Sequence, residues 1–118
     1  IASGIMTMRA REVAKVLEAD KVDVAVLHVP TIKPLDTATI LREAGRSGRL
    51  VVVAENHTTI GGLGEAVATA LLTAGVTPPF RQIALPDAFL DAGALPTLHD
   101  RYGISTEVMS ATIKNWLS

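Results

Sequence analysis

The strongest constraint on the fold is an alternation between short apolar, β-branched runs and segments whose apolar residues recur with the helical period. The runs that predict strands are Ile1–Ser3, Val22–Val29, Leu50–Ala54 and Phe80–Leu85. The segments that predict helices are Thr7–Ala19, a stretch after Asp36 that ends at Ala44, Glu65–Ala74, Leu95–Tyr102 and a last segment from Ser105. Strands separated by helices favour βαβ units. The chain is therefore predicted to be an α/β domain with a mostly parallel sheet and helices on both faces.

Local signals add detail to this prediction. Val22–Val29 is apolar almost throughout, which is typical of a strand that is buried on both faces. Asp36 and Ser105 are residue types that cap helix N-termini. Gly45 and Gly48 bracket the end of the second helix, where a left-handed C-terminal cap is expected.

Composition excludes several classes of partner. The chain has 118 residues, enough for one domain spanning residues 1–118, and a net charge of −1. Aromatic residues make up only 3% and no basic cluster occurs, so neither nucleic acid nor an anionic membrane is an expected partner. Cysteine is absent, which excludes disulfides and thiol nucleophiles, and a cytoplasmic location is expected. The abrupt start at Ile1 favours a piece of a longer polypeptide, cut in or just after a strand.

A glycine-rich turn is the first candidate site. Gly61, Gly62 and Gly64 follow a predicted strand and open a predicted helix, where backbone N–H groups and the helix dipole favour an anion. The turn lacks the dinucleotide fingerprint because Val67 stands where a last glycine is required, and no Gly-Lys-Ser/Thr motif follows. The alternative is a tight crossing in which glycines let the helix approach the sheet closely, and this second interpretation is favoured.

Glu55 and His57 form the second candidate site. They stand at the carboxyl end of the predicted strand Leu50–Ala54, the edge at which ligands bind in open α/β sheets. A Glu/His pair can perform acid–base chemistry, but no third partner is evident. Hydrogen bonds in a turn or an interface are the alternative. His28 and His99 have no spacing typical of a metal motif, so no metal site is expected. The residues alone predict no catalytic site.

A succession of five segments nevertheless resembles a known family. The segments are IKPLD (32–36), VAENH (53–57), GGLGEAV (61–67), LPDAF (85–89) and YGIS (102–105). Together they resemble the C-terminal domain of transketolase, in a group that includes deoxyxylulose phosphate synthase and the thiamine-dependent subunits of 2-oxoacid dehydrogenases. The resemblance covers essentially the whole chain, and its Glu-Asn-His and double-glycine segments look closer to transketolases than to the dehydrogenases.

The resemblance implies a three-layer α/β/α sandwich around a five-stranded mixed sheet, whose first strand is antiparallel to the rest. It also implies a parent enzyme that transfers two-carbon ketol units between sugar phosphates with thiamine diphosphate and magnesium. In this family the cofactor lies between the pyrophosphate-binding and pyrimidine-binding domains, which precede this one and would be its partners. No catalytic or cofactor-binding residue carries over to this chain.

The domain is therefore expected to be structural, to build a homodimer and to be inactive alone. The alternatives are a regulatory module with a small anion or metabolite at the glycine turn, or the same domain of one of the related enzymes. The family includes transketolases split into two polypeptides, so the parent is one chain or two.

Overall fold

A computed structural model describes residues 1–118, which form five helices and two strands. In chain order these are α1 (Ile5–Ala19), α2 (Thr37–Ala44), β1 (Val51–Thr58), α3 (Leu63–Thr73), β2 (Phe80–Leu85), α4 (Leu95–Arg101) and α5 (Thr106–Leu117). No helix is long and apolar enough to cross a membrane.

The two strands lie side by side and run in the same direction. Val51 pairs with Phe80, and the register continues to Ala54 opposite Ile83. Two isolated bridges widen this layer, since Ala2 pairs in parallel with Ala54 on one side and with His28 on the other. The extended layer therefore has the order 22–29, 1–3, β1, β2, and each of these pairings is parallel.

The prediction of a strand at Val22–Val29 is wrong. Only His28 forms a bridge in this segment, and only Val29 is buried. The neighbour of this segment in the layer is the stretch at Ile1–Ser3, which is too short to pair with residues 22–27. A strand needs a hydrogen-bonded partner along its whole length. Residues 22–27 lack one, so they are extended in conformation but do not form a strand.

The sheet itself has two strands, β1 and β2. The five-stranded mixed sheet implied by the family resemblance is therefore not confirmed, and no antiparallel pairing is present. The other predicted strand, Ile1–Ser3, contributes a single bridging residue, Ala2.

Helices cover both faces of the extended layer, as predicted. Successive residues of a strand point to opposite faces, and β1 divides its side chains between two apolar clusters. One cluster joins β1 and β2 to α1 and α5 and comprises Ala2, Met6, Val13, Leu17, Ala54, Ile83, Ile104, Met109 and Ile113. The other joins β1 to α2 and α3 and comprises Val29, Ile40, Ala44, Val51, Val53, Leu63, Val67 and Leu71. The arrangement is helix, sheet, helix.

The helix caps follow local sequence in two of three cases. Asp36 Oδ1 accepts a hydrogen bond from the Thr39 N–H at 3.1 Å, and Ser105 Oγ accepts one from the Val108 N–H at 3.4 Å. Gly45, by contrast, has φ −78°, so the prediction of left-handed geometry at this residue is wrong, whereas Gly48 does adopt it with φ +77°. The Gly45 N–H still donates to Leu41 O at 2.9 Å, so the helical hydrogen bonds continue as far as Gly45. The left-handed residue comes three positions later, at Gly48.

Three boundaries differ from the predicted ones by two residues or more. Helix α1 begins two residues before Thr7, and α3 begins at Leu63 rather than Glu65. Strand β1 runs on through residues 55–58, past the predicted end at Ala54. The strand therefore carries the candidate residues Glu55 and His57 itself, whereas the sequence placed them just beyond it.

Candidate functional site

Strand β1 delivers Glu55 to the start of α3. Val51, Val53 and Glu55 alternate along the strand, so all three side chains point to the face covered by α3. The pairing with β2 then becomes irregular, because Ala54 lies opposite Ile83 whereas Thr58 lies opposite Leu85. Two extra residues on β1 form an irregularity between Ala54 and Thr58, and such bulges redirect side chains.

The carboxylate of Glu55 closes the N-terminus of α3. Its Oε2 accepts a hydrogen bond from the Leu63 N–H at 2.7 Å, and its Oε1 accepts one from the Gly64 N–H at 2.9 Å. The residue is only 4% exposed. The first N–H groups of a helix have no partner within the helix and carry a partial positive charge. Glu55 thus satisfies two of them with one buried negative charge.

Two glycines make this contact possible by letting the backbone come close. A β-carbon at Gly62 would lie 2.8 Å from Glu55 Cδ, and one at Gly64 would lie 2.6 Å from Gln82 Cδ on β2. Real β-carbons almost never approach other heavy atoms this closely, so a side chain at Gly62 would have to displace the Glu55 carboxylate, and one at Gly64 would have to displace the Gln82 amide. These glycines hold the first turn of α3 against the sheet.

Gly61 has a different role in the turn. Its φ is +77°, the left-handed conformation that glycine adopts readily, and the space around its missing β-carbon is open. The Gly61 N–H donates to Glu65 Oε2 at 2.7 Å. Glu65 therefore reaches back from the first turn of α3 in the manner of a capping box.

His57 does not join Glu55. Its side chain is exposed, and its Nδ1 lies 3.1 Å from the carbonyl oxygen of its neighbour Thr58. The two residues are an i, i+2 pair that a regular strand would place on one face, but both lie in the irregular stretch between Ala54 and Thr58. Glu55 points into the protein and His57 lies on its surface.

This geometry leaves little room for an added anion at the turn. The N–H groups of residues 61, 63 and 64, which would cradle a phosphate or pyrophosphate, donate to Glu65 and Glu55. A second negative charge there would face two carboxylates. Nor do His, Asp and Glu side chains gather anywhere into a group of three that could hold a metal ion. The donors of this turn are thus already used within the domain.

A second buried polar contact joins α1 to α4. Arg9 Nη2 on α1 donates to His99 Nδ1 on α4 at 2.5 Å, and His99 is 5% exposed. Burial, followed by the nearby Arg9 charge, lowers the pKa of His99 below its ordinary value. The two residues are 90 positions apart, so no spacing or motif signals the contact. The Nε of Arg9 is buried and has no partner.

The remaining histidine makes a local contact. His28 Nδ1 lies 2.8 Å from the Thr7 hydroxyl, at an exposed position. The three histidines thus have three different partners, and none of them forms a hydrogen bond with Glu55.

Fold and site together define a class of protein: an α/β domain whose parallel layer is covered by helices on both faces and whose central turn is closed by its own buried carboxylate. The chain belongs to the family of transketolase C-terminal domains. The model of that family, described as "Transketolase, C-terminal domain", matches residues 1–109.

Similar proteins agree with this assignment. A transketolase family protein of Sinorhizobium fredii is 69% identical over 118 residues, which cover 99% of this chain and 34% of that protein. A 1-deoxy-D-xylulose-5-phosphate synthase of Heliobacterium modesticaldum is 36% identical over 105 residues, which cover 89% of this chain and 16% of the synthase. Among solved structures, a split-gene transketolase described as an inactive β4 tetramer matches with a TM-score of 0.87 and 34% identity. That match covers 97% of this chain and 37% of the solved one. The chain thus spans between 16% and 37% of the length of these relatives.

Proposed function

We propose that residues 1–118 serve as a structural domain of a thiamine diphosphate-dependent enzyme that transfers two-carbon ketol units between sugar phosphates. The cofactor, magnesium and substrate would be held by the pyrophosphate-binding and pyrimidine-binding domains, as part of the same polypeptide or of a partner subunit. The domain would pack on the pyrimidine-binding domain and help to build a homodimer. A cytoplasmic location stays a prediction.

The observation that carries this proposal is the double hydrogen bond of Glu55 to Leu63 and Gly64. The glycine turn is the obvious candidate for a ligand site, and its donors are used within the domain. We therefore interpret Glu55, Gly61, Gly62 and Gly64 as the frame of a rigid turn, and His57 as a surface residue available for contact with a neighbouring domain.

Exposed apolar side chains near this turn support an interface role. Ile60 is 57% exposed directly before Gly61. Ile32 is 45% exposed and lines a shallow groove between α2 and α3 that also contacts Gly61 and Gly62. Elsewhere on the surface, Phe89 is fully exposed in the loop after β2. Exposed apolar surface marks contacts with other proteins when it forms large patches.

The test uses the parent enzyme. His57→Ala and Glu65→Gln should leave kcat of ketol transfer unchanged, because neither residue would touch the cofactor or substrate. Thermal unfolding of the 118-residue chain should not shift with thiamine diphosphate and magnesium, whereas unfolding of the parent should shift upward; ligand at about 100 times its dissociation constant adds roughly 2.7 kcal/mol. A shift of the isolated chain, or a large loss of kcat in His57→Ala, would contradict the proposal.

The second candidate is a parent of the deoxyxylulose phosphate synthase type, favoured by the 36% identity to the Heliobacterium synthase. The two reactions differ in their products. The parent can be assayed for both products. If it forms 1-deoxy-D-xylulose 5-phosphate and does not transfer two-carbon units between sugar phosphates, the synthase reaction replaces ketol transfer as its function. The structural role proposed for the domain would be unaffected.

A further inference from the structure

Arg9 on α1 carries a partly buried positive charge that no carboxylate of the domain neutralises. Of the lysines and arginines, only Arg9 and Arg49 are partly buried, and the others are exposed. Arg49 lies 3.1 Å from Asp23 Oδ2, whereas Arg9 takes part in no ion pair. Charged side chains that leave water are normally paired, because burial of an unpaired charge is costly. Arg9 therefore lacks the compensation that Arg49 has.

The contact between Arg9 and His99 does not supply this compensation. A guanidinium has only donors, so His99 Nδ1 accepts the bond from Arg9 Nη2 and the ring hydrogen lies on His99 Nε2. Arg9 Nη1 and His99 Nε2 make no hydrogen bond and are not among the buried atoms that lack a partner, so both reach the surface. The pair thus presents N–H donors and a positive charge to the outside, and no acceptor.

The acidic side chains nearest to this pair along α1 and α4 are occupied elsewhere or exposed. Glu12 Oε2 accepts a hydrogen bond at 2.6 Å from a hydroxyl group on α5. Asp91, in the loop before α4, lies 2.6 Å from Arg101 Nη1. Asp100 is exposed and forms no ion pair with Arg9. The domain itself therefore provides no counter-charge for Arg9.

Exposed apolar side chains flank the pair on both helices. Ile5 lies one turn before Arg9 on α1, on the same face of the helix. Leu95 lies one turn before His99 on α4, again on the same face. Ile5 is 41%, Leu95 55% and Met8 68% exposed. These three side chains and the Arg9–His99 pair form a surface termed the α1–α4 face, and an arginine among apolar residues is the composition typical of the centre of a protein–protein contact.

We propose that the α1–α4 face binds an apolar surface of the neighbouring domain of the parent enzyme, on which a carboxylate pairs with Arg9. The argument is charge complementarity, because a carboxylate supplies the acceptors that Arg9 and His99 lack, and arginine suits ion pairs at interfaces. A small free anion would satisfy the charge but leave the apolar side chains in water, so a protein surface is favoured. The inference rests on the proposed function in so far as that function places another domain beside this one, and it adds which contact holds the two together.

A zero-length cross-link in the parent enzyme identifies the carboxylate. Arg9→Lys keeps the charge and introduces a primary amine, which a water-soluble carbodiimide joins to a carboxylate in direct contact. Mass spectrometry of the digested enzyme should find position 9 joined to an Asp or Glu outside residues 1–118. Arg11→Lys is the matched control, since residue 11 is exposed on the same helix, and it should not give this cross-link.

Oxidation by hydrogen peroxide shows whether the α1–α4 face is covered. The chain has three methionines, of which Met8 is exposed and Met6 and Met109 are buried, so the buried two are internal references. In the native parent enzyme, Met8 should be oxidised about tenfold more slowly than in the unfolded enzyme, because oxidation follows exposure. Arg9→Gln should restore fast oxidation of Met8, whereas Arg11→Gln should not. A variant that fails to fold is recognised because Met6 and Met109 are then oxidised as well, and the unsubstituted enzyme still decides the question.

Several outcomes would overturn the proposal. Oxidation of Met8 in the native parent as fast as in the unfolded one would show that the face is uncovered, and no cross-link from position 9 would show that no carboxylate lies there. A cross-link to a carboxylate within residues 1–118 would replace the neighbouring domain with a second copy or with the domain itself. Fast oxidation of Met8, together with stabilisation by inorganic phosphate that Arg9→Gln abolishes, would assign Arg9 to a free anion.

These readouts are independent of the reaction that the parent catalyses. A cross-link can form whether the parent transfers ketol units or makes 1-deoxy-D-xylulose 5-phosphate. Conversely, an uncovered α1–α4 face would leave the assays of kcat and cofactor binding unchanged. Failure of this inference and failure of the proposed function are therefore distinguished.

Discussion

Glu55 lies directly against Gly62, so closely that a β-carbon at Gly62 would be 2.8 Å from the carboxylate carbon. The residue that looks like a catalytic acid and the glycine that looks like a phosphate-binding turn are therefore two halves of one structural contact. Each has a consequence for stability that can be measured.

The first prediction concerns the charge of Glu55. Glu55→Gln keeps the size of the side chain but replaces one accepting oxygen with an NH₂ group, so the N–H of Leu63 or Gly64 loses its partner. Because the site is buried and the bonds are charge-assisted, the free energy of unfolding should fall by about 2 kcal/mol. Glu65→Gln is the matched control: Glu65 is exposed, and its variant should lose less than about 0.5 kcal/mol. Equal losses in urea unfolding would contradict the assignment of Glu55 as the main cap.

The second prediction separates two reasons for glycine in the turn. Gly62→Ala should lower the free energy of unfolding by about 2–3 kcal/mol, because the new methyl group displaces the Glu55 carboxylate from its donors. Gly61→Ala should lose about 1 kcal/mol, since only the left-handed backbone is disfavoured and the space is open. In a double-mutant cycle, Gly62→Ala and Glu55→Ala should show coupling, whereas Gly61→Ala and Glu55→Ala should be nearly additive. Coupling of similar size in both cycles would contradict this distinction.

The third prediction concerns the amino group of Ile1, whose pKa burial lowers to about 6 in the folded chain. Between pH 6 and pH 8 the unfolded state binds more protons than the folded state, so the 118-residue chain should lose stability as the pH falls through this window. Two units correspond to about 3 kcal/mol. Urea unfolding at several pH values checks the slope. Acetylation of the amino group should flatten it, and an unchanged slope would contradict the assignment to this group.

The fourth prediction concerns His99, whose pKa is lowered first by burial and then by the charge of Arg9. The folded state keeps this ring neutral at a pH where the unfolded ring is protonated, so stability is complete above about pH 6.5 and decreases below it. His99→Gln should remove the part of the acid sensitivity that lies below this pH. His28→Gln serves as the control, because His28 is exposed and contacts only a hydroxyl. If the stability of both variants falls with pH as steeply as that of the unsubstituted 118-residue chain, the assignment to His99 is wrong.

Much of the helical architecture follows from short-range sequence information. Asp36 and Ser105 cap their helices as predicted, because a cap needs only a side chain three residues away from the N–H that it accepts. Strand β2 has the predicted bounds, Phe80–Leu85, since it pairs with β1 along a continuous β-branched run. Placement of helices on both faces likewise follows from the alternation of strand and helix.

What the sequence by itself determined is thus the class of the fold, most of its elements and the family resemblance, all of which depend on residues near each other in the chain. Tertiary structure alone decided the role of Glu55, which depends on where α3 begins, and the contact of Arg9 with His99 across 90 positions. It also decided that Val22–Val29 pairs only at His28 and does not become a strand, because a strand exists only where another backbone lies beside it. Local pattern specifies what a segment can become, and its neighbours in space decide whether it does.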